Sequence, residues 1–238
     1  MGRKMPNSRY RIALFPSLEI RYFGSLYLTA SRQYTESPAS MNTPPLSSAL
    51  TVRWSDIFGN DHPVEVEIGP GKGSFLCAYA EHTPERNFFA VEINKRRALR
   101  LAARLHRQGP TNAMVIHADM RCLIQTPVWP GGVSVYHLYF PDPWWKRRHH
   151  QRRLFHADFA TALMQTLLPG GRILLASDVQ EYFVKIVQQF NSVPELRQFP
   201  WERDHITKKG KPILTDFERK FRNLGLPIHY AGFEKKRS

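Results

Sequence analysis

Residues 64–73 read Val-Glu-Val-Glu-Ile-Gly-Pro-Gly-Lys-Gly. Val64, Val66 and Ile68 make a first strand, which ends in the loop Gly69-Pro70-Gly71-Lys72-Gly73. Ser74 to His82 follows as a helix, with Phe75, Leu76 and Tyr79 at helical spacing. The same alternation continues outward. Phe88 to Val91 is a second strand ending at Glu92, and Asn94 to Gln108 a helix with Ala98, Leu101, Ala102 and Leu105 on its inner face, stopped by Gly109-Pro110. Ala113 to His117 is a third strand, followed by Asp119, and Val133 to Phe140 a fourth. Phe155, Phe159, Leu163, Met164 and Leu167 mark a helix ended by Pro169-Gly170-Gly171. Ile173 to Ala176 is a fifth strand, closing at Ser177-Asp178, and Val179 to Phe190 is another helix. Strand-like material flanks a last short helix near Thr215 to Leu224. This order predicts the α/β class: a parallel sheet with helices on both faces. There is no internal repeat.

The formal charge of +14 and a pI near 10.1 point to a polyanionic partner, most simply nucleic acid. The 2 cysteines, Cys77 and Cys122, are too few for a disulfide framework or a cysteine-based zinc site and fit a reducing compartment. No metal is expected. No apolar run approaches the ~20 residues of a membrane span, so no membrane partner is expected. Residues 1–48 are set apart as a basic, disordered N-terminal extension, and residues 49–238 as the domain. The extension carries Arg3, Lys4, Arg9, Arg11, Arg21 and Arg32 against only Glu19 and Glu36. Beside the preferred reading of a disordered lead, or of translation starting at Met41, stand a basic arm that touches nucleic acid and a targeting segment.

In open parallel sheets, ligands sit beyond the carboxyl ends of the strands. Here those ends carry Glu67, Glu92, Asp119, Asp142 and Asp178 in turn, although the chain holds only 20 acids against 34 Lys and Arg. Gly69, Gly71 and Gly73 let the backbone turn tightly and approach a ligand. The dinucleotide fingerprint G-x-G-x-x-G is not met, because the third glycine comes one position early. Glu92 suits a ribose diol. Glu67 and Asp119 disfavour a pyrophosphate and favour a cation. A nucleoside with a sulfonium and an ammonium and no phosphate, S-adenosylmethionine, therefore fits better than NAD. Two structural alternatives stay open: Glu67 as a buried, hydrogen-bonded acid, and Asp119 as a helix N-cap.

Residues 139–154 read Tyr-Phe-Pro-Asp-Pro-Trp-Trp-Lys-Arg-Arg-His-His-Gln-Arg-Arg-Leu. Two prolines cannot continue a sheet, so Asp142 is held on a stiff corner at the strand exit. The tryptophans and the cations from Lys146 to Arg153 could hold a base and its phosphates. Lys95, Arg96, Arg97, Arg100, Arg104 and Arg107 line one helix, and Lys208, Lys209 and Lys211 form a further patch. About half of these charges are expected to contact phosphate, the remainder being solvated.

Taken together, Glu67-Ile-Gly-Pro-Gly-Lys-Gly73, Val-Glu92-Ile, His-Ala-Asp119, the Pro-Asp142-Pro-Trp basic segment and Thr215-Asp-Phe-Glu218 resemble the tRNA (guanine-N7-)-methyltransferases, from about residue 50 to the C-terminus. The resemblance implies a Rossmann-like methyltransferase fold with a mostly parallel seven-stranded sheet. It also implies methyl transfer from S-adenosylmethionine to N7 of a guanine in the tRNA variable loop, in the cytoplasm. It places Glu67, Glu92, Asp119 and Asp142 at cofactor-binding positions, with Gly69, Gly71 and Gly73, and makes Asp142 the active-site acid. Lys146, Asp178, Thr215, Asp216, Phe217 and Glu218 fall at substrate-binding positions. Trp145 and Pro70 depart from the family pattern, Pro70 by removing an N–H from the glycine loop. Thr215 and Glu218 also form a good capping box on their own. Rival readings are a base methyltransferase acting on an exocyclic amine and a non-catalytic RNA-binding protein of the same fold. Monomer and homodimer both stay open.

Overall fold

A computed structural model of the chain describes residues 53–126, 129–142 and 157–237. The N-terminal extension and most of the basic segment, including Trp145 and Lys146, lie outside the described residues. The elements run α1 (Trp54–Phe58), β1 (Val64–Ile68), α2 (Ser74–His82), β2 (Asn87–Glu92), α3 (Lys95–Gln108), β3 (Ala113–His117), α4 (Met120–Leu123), β4 (Val133–Tyr139), α5 (Ala157–Thr166), β5 (Leu167–Ser177), α6 (Gln180–Asn191), β6 (Leu196–Phe199), α7 (Asp216–Asn223) and β7 (His229–Lys235).

The strands form one 7-stranded sheet in the order β3-β2-β1-β4-β5-β7-β6. The pairs from β3 through β5 are parallel. β7 is antiparallel to both β5 and β6. The chain starts at β1, moves out to β3, then returns to lay β4 on the other side of β1. That reversal opens a crevice beyond the carboxyl ends of β1 and β4.

Alternation along the central strands assigns the two faces. Val64, Val66, Phe89, Val91, Tyr136, Leu138, Ile173 and Leu175 point to one side and meet Phe159 and Leu163 of α5 and Tyr182, Ile186 and Phe190 of α6. Phe88, Ala90 and Val115 point to the other and meet Leu76 and Ala80 of α2 and Leu101 of α3. Beside them Tyr139, Leu174 and Ala176 are covered by Phe75, Trp201 and Ile213. Strands with both faces buried read as near-continuous apolar runs, which is why β2 and β5 stood out in the sequence.

Two short helices escaped the sequence reading. α1 is 5 residues long and α4 is 4, too short for a helical period to show. The turn at Pro169-Gly170-Gly171 also differs from expectation. α5 ends sooner, at Thr166, whose hydroxyl hydrogen-bonds the Leu163 carbonyl at 3.0 Å. Pro169, Gly170 and Gly171 instead lie inside β5, in a break where Val133 pairs with Leu167 but Val135 pairs with Arg172. Gly170 takes φ 77°, and a Cβ on Gly171 would sit 2.8 Å from the Leu168 carbonyl, so the kink needs these residues.

Gly73 is where the loop after β1 meets the core. Its φ is +73°, and a Cβ there would lie 2.3 Å from Cδ1 of the buried Leu101. Gly73→Ala is expected to cost about 1–3 kcal/mol of unfolding free energy, measured by urea denaturation. An unchanged midpoint and slope would show that α3 yields without cost.

Candidate active site

The loop after β1 is bound tightly to its neighbours. Gly69 N–H donates to the Val91 carbonyl at 2.9 Å, and Gly73 N–H to the Pro70 carbonyl at 2.8 Å. Gly69 and Gly71 take φ of 76° and 59°, the left-handed region that glycine enters freely. Glu92, at the end of β2, fixes the loop from the side: its Oε2 accepts from Gly71 N–H at 3.1 Å and its Oε1 from Asn94 N–H at 2.8 Å. Within the loop it is Gly71, next to Pro70, that supplies the amide Glu92 holds.

Glu67 lies one residue inside the end of β1, 3% exposed, and its Oε2 has no hydrogen-bond partner. Burial pushes its carboxyl up to about 8, with the Glu92 charge adding to the rise and Arg203 opposing it. The alternative of a fully hydrogen-bonded structural acid is therefore not what the structure shows. An orphaned acceptor at a sheet switch point is a place for a donor or a cation from a ligand.

Arg203 was not singled out in the sequence. It comes from the segment between β6 and α7, and its side chain is wholly buried. The guanidinium lies 4.0 Å over the Tyr139 ring and 5.0 Å from the Phe75 ring. Its Nη2 is 2.7 Å from Glu218 Oε2, an ion pair whose angle makes no hydrogen bond, so the guanidinium nitrogens have no hydrogen-bond partner among the described residues. The local sequence Trp201-Glu-Arg-Asp-His205 has no motif, so nothing short of the fold could have found this cation.

Behind Arg203 a buried relay crosses the sheet. Tyr139 hydroxyl is 2.7 Å from His137 Nδ1, His137 Nε2 is 2.6 Å from Glu65 Oε2, and Glu65 Oε1 accepts from Arg86 Nη1 at 2.6 Å. Burial opposes ionisation of Glu65, but the hydrogen bond from His137 and the charges of His137 and Arg86 outweigh it and hold the carboxyl below its usual range. His205 packs against Tyr79 at 4.4 Å, and burial, with His137 and Arg203 nearby, pushes it down to about 2.

On the far side of the crevice, Asp142 is exposed just past the end of β4. Phe140 before it has φ 52°, the non-glycine residue in the left-handed region among the described residues. Phe140 N–H donates to the Ala176 carbonyl at 2.8 Å, and its ring lies 6.0 Å from Phe217 and 5.7 Å from Phe221 of α7. The corner carrying Asp142 and the start of α7 are thus packed together. Thr215 caps α7, accepting from Glu218 N–H at 3.0 Å. Asp216 pairs with Arg219 at 3.3 Å, and Phe217 is half exposed. Glu218 is fully buried and engaged by the chain itself: Arg222 and Tyr230 hydroxyl both donate to its Oε1 at 2.8 Å.

Asp119 lies after β3 and caps α4, accepting from Arg121 N–H at 3.0 Å. Burial opposes its ionisation, but the Arg121 guanidinium bound to it holds its carboxyl below the usual range. Asp178 is exposed past β5. Glu67, the glycine loop and Glu92 are brought together by hydrogen bonds or electrostatic contact, and Asp142 is joined to Thr215–Glu218 through Phe140. Lys146 lies outside the described residues. Among the described residues no group of three or more His, Cys, Asp or Glu could hold a metal ion, and no helix is long and apolar enough to cross a membrane.

A mostly parallel seven-stranded sheet with acids and a glycine loop at its switch point defines a Rossmann-like methyltransferase. The structure is similar to the 16S rRNA methyltransferase KamB, with a TM-score of 0.55 at 13% identity over 78% of this chain and 92% of that one, a likeness of fold alone. The Methyltransf_4 family, described as "Putative methyltransferase", matches residues 61–231. A tRNA (guanine-N(7)-)-methyltransferase of Rhodopirellula baltica is 33% identical over 198 residues, spanning 81% of this chain and 73% of the relative. Its counterpart in Aliivibrio fischeri is 33% identical over 172 residues, 72% of each chain. The chain belongs to the tRNA (guanine-N7-)-methyltransferase family.

Two measurements check this electrostatic picture. Arg203→Gln removes the cation 2.7 Å from the buried Glu218 Oε2, while Arg222 still holds Oε1, and is expected to cost about 1–3 kcal/mol in equilibrium unfolding. An unchanged stability would show that Arg203 does not neutralise Glu218. Between 4.5, the ordinary value, and about 8, native Glu67 keeps its proton while the unfolded chain has lost it. The unfolded state then binds fewer protons, so this contribution is complete below 4.5 and disappears as pH rises through about 8. Glu67→Gln lacks that slope. Its stability relative to the parent protein is expected to rise across this window, by at most about 1.4 kcal/mol per pH unit. Parallel curves for the two proteins would place the Glu67 carboxyl at its ordinary value.

Proposed function

We propose that the protein transfers a methyl group from S-adenosylmethionine to N7 of a guanine in tRNA, in the variable loop, forming 7-methylguanosine. The observation that carries this reading is the juxtaposition, in a chain of this family, of a buried acid with an unsatisfied oxygen and a corner that ties Asp142 to the start of α7. Acids gathered at the strand ends around the glycine loop suit a ligand that is positively charged and carries a ribose. The residues present fit that group: Glu67, Glu92 and Asp119 with Gly69, Gly71 and Gly73 would hold it, and Asp142 would border it. When bound, S-adenosylmethionine supplies an electrophilic methyl group.

The remaining chemistry is positioning and charge. Guanine N7 has a free in-plane lone pair, so no general base has to deprotonate it. Asp142, on its stiff corner, orients the base through its N–H groups and stabilises the positive charge that develops on the purine. Thr215, Asp216 and Phe217 present the helix start to the base, with Glu218 anchoring that helix from inside. Asp178 and Lys146 complete the substrate side, Lys146 on the RNA backbone. The proposed setting is the cytoplasm, where tRNA is found.

Incubation with methyl-labelled S-adenosylmethionine and unmodified tRNA, followed by nucleoside analysis, is expected to give labelled 7-methylguanosine. Label on an exocyclic amine, or none at all, would overturn the assignment in favour of an amino methylase or a non-catalytic RNA binder. Asp142→Asn keeps the size of the side chain and deletes its charge. It is expected to lower kcat at saturating tRNA on the order of 10²-fold. Full retention of kcat would remove the electrostatic role.

A further inference from the structure

α3 is the most one-sidedly charged element described. Its 14 residues include Lys95, Arg96, Arg97, Arg100, Arg104 and Arg107 and no acid. The inward stripe, Ala98 and Leu101 with Ala102 and Leu105, packs on Phe88, Ala90 and Val115. All six cations lie exposed on the outward side. Among the described residues no carboxylate comes within salt-bridge distance of Arg96, Arg97, Arg100, Arg104 or Arg107.

Two features make this arrangement costly for the isolated protein. Lys95, Arg96 and Arg97 occupy the first turn, where the helix dipole is positive and acids are favoured. Arg96 and Arg100, Arg97 and Arg100, Arg100 and Arg104, and Arg104 and Arg107 are like-charged neighbours at three- or four-residue spacing, which destabilises a helix. A merely solvated face would be more stable with mixed signs. The exposed surface of α6 is of that kind, with Glu181 and Lys185 at four-residue spacing.

α3 is also tied to the crevice. Asn94, which caps it by accepting from Arg97 N–H at 3.1 Å, donates its own N–H to Glu92. Further along, Arg104 Nη1 donates to the Lys72 carbonyl in the glycine loop at 3.3 Å. At about 1.5 Å per residue the helix gives a cationic track roughly 20 Å long, starting at the site.

We infer that α3 is a phosphate-docking face: the RNA backbone lies along its outward side, so the substrate approaches the site over the β3 edge of the sheet and past the glycine loop. This rests on the reading of an RNA substrate. The self-repulsion within α3 is relieved when phosphates replace the missing acids.

The test uses the full chain, the triple variant Arg96→Gln, Arg100→Gln, Arg107→Gln and its single component Arg100→Gln, with Lys185→Gln on α6, across the sheet, as the charge-matched control for the single variant. The triple variant is expected to bind unmodified tRNA about 10- to 100-fold more weakly near 0.15 M salt. Its plot of log affinity against log salt should be shallower by about 2. Its affinity for S-adenosylmethionine by calorimetry should match the parent protein, and its Tm without RNA should rise by a few degrees. Lys185→Gln should leave the salt slope unchanged. The inference is overturned by an unchanged tRNA affinity and slope, by an equal loss of S-adenosylmethionine affinity, or by a fall in Tm. It is also overturned if the triple variant loses binding to phosphatidylserine vesicles while keeping tRNA, which would make α3 a membrane-surface helix. Absence of 7-methylguanosine from the parent protein's product would instead strike the proposed function, and the salt slopes would still decide the role of α3.

Discussion

Glu67 and Arg203 are buried at the point where the sheet reverses its order, and neither has its hydrogen-bonding capacity filled. Burial keeps the proton on Glu67 up to about 8, whereas the Arg203 guanidinium is a buried ion whose cost an opposing charge offsets only in part. The surrounding structure can be understood as the means of keeping this pair in place. Tyr139 gives Arg203 an aromatic face at 4.0 Å, Glu218 supplies an opposing charge from α7, and Arg222 and Tyr230 hold Glu218. The C-terminal segment is thereby fastened to the central strands by electrostatics as well as by the ring contacts of Trp201. One cation, Arg203, thus acts on acids of both β1 and α7.

Much of the frame was legible in the chain. The parallel strands from β1 to β5 are apolar runs with an acid at or near the carboxyl end, and the helices between them, α2, α3 and α6, have periods long enough to read. The glycine loop and the acids Glu67, Glu92, Asp119 and Asp142 could be placed at one edge because parallel topology puts all strand exits on the same side. Three things were not legible, for three different reasons. α1 and α4 are shorter than the window in which a helical period shows. The Pro169-Gly170-Gly171 turn sits inside β5, because the register break opposite Val133 and Val135 absorbs it, a fact of pairing that local composition does not carry. Arg203 belongs to an irregular segment and takes its role from residues on β1, β4 and α7, far from it in sequence.

The acids also divide more finely in space than along the chain. Glu92 serves the glycine loop through one oxygen and the cap of α3 through the other, Asp119 serves α4 and Arg121, and Glu218 serves the interior. Glu67 and Glu218 each keep a buried oxygen without a hydrogen bond, but that of Glu218 faces Arg203 at 2.7 Å. Thr215 realises the cap half of the capping box read from the sequence, while the Glu218 side chain turns inward to Arg222 and Tyr230 instead of back to Thr215, and Phe217 beside it is half exposed. A residue can anchor its own element and still shape the site, because a cap that fixes where a helix begins also fixes which groups the helix shows to the crevice.

Phe140 carries a last consequence. A bulky residue at φ 52° directly before a proline sits in a backbone state that costs on the order of 1–3 kcal/mol, and the surroundings must over-determine it. Here they do so from two directions, the Ala176 carbonyl on β5 and the rings of Phe217 and Phe221 on α7. The turn that carries Asp142 is therefore a latch whose keeper is a helix more than seventy positions further along. The backbone position of the Asp142 corner and the seating of α7 are thus fixed by the same ring contacts and cannot be set independently.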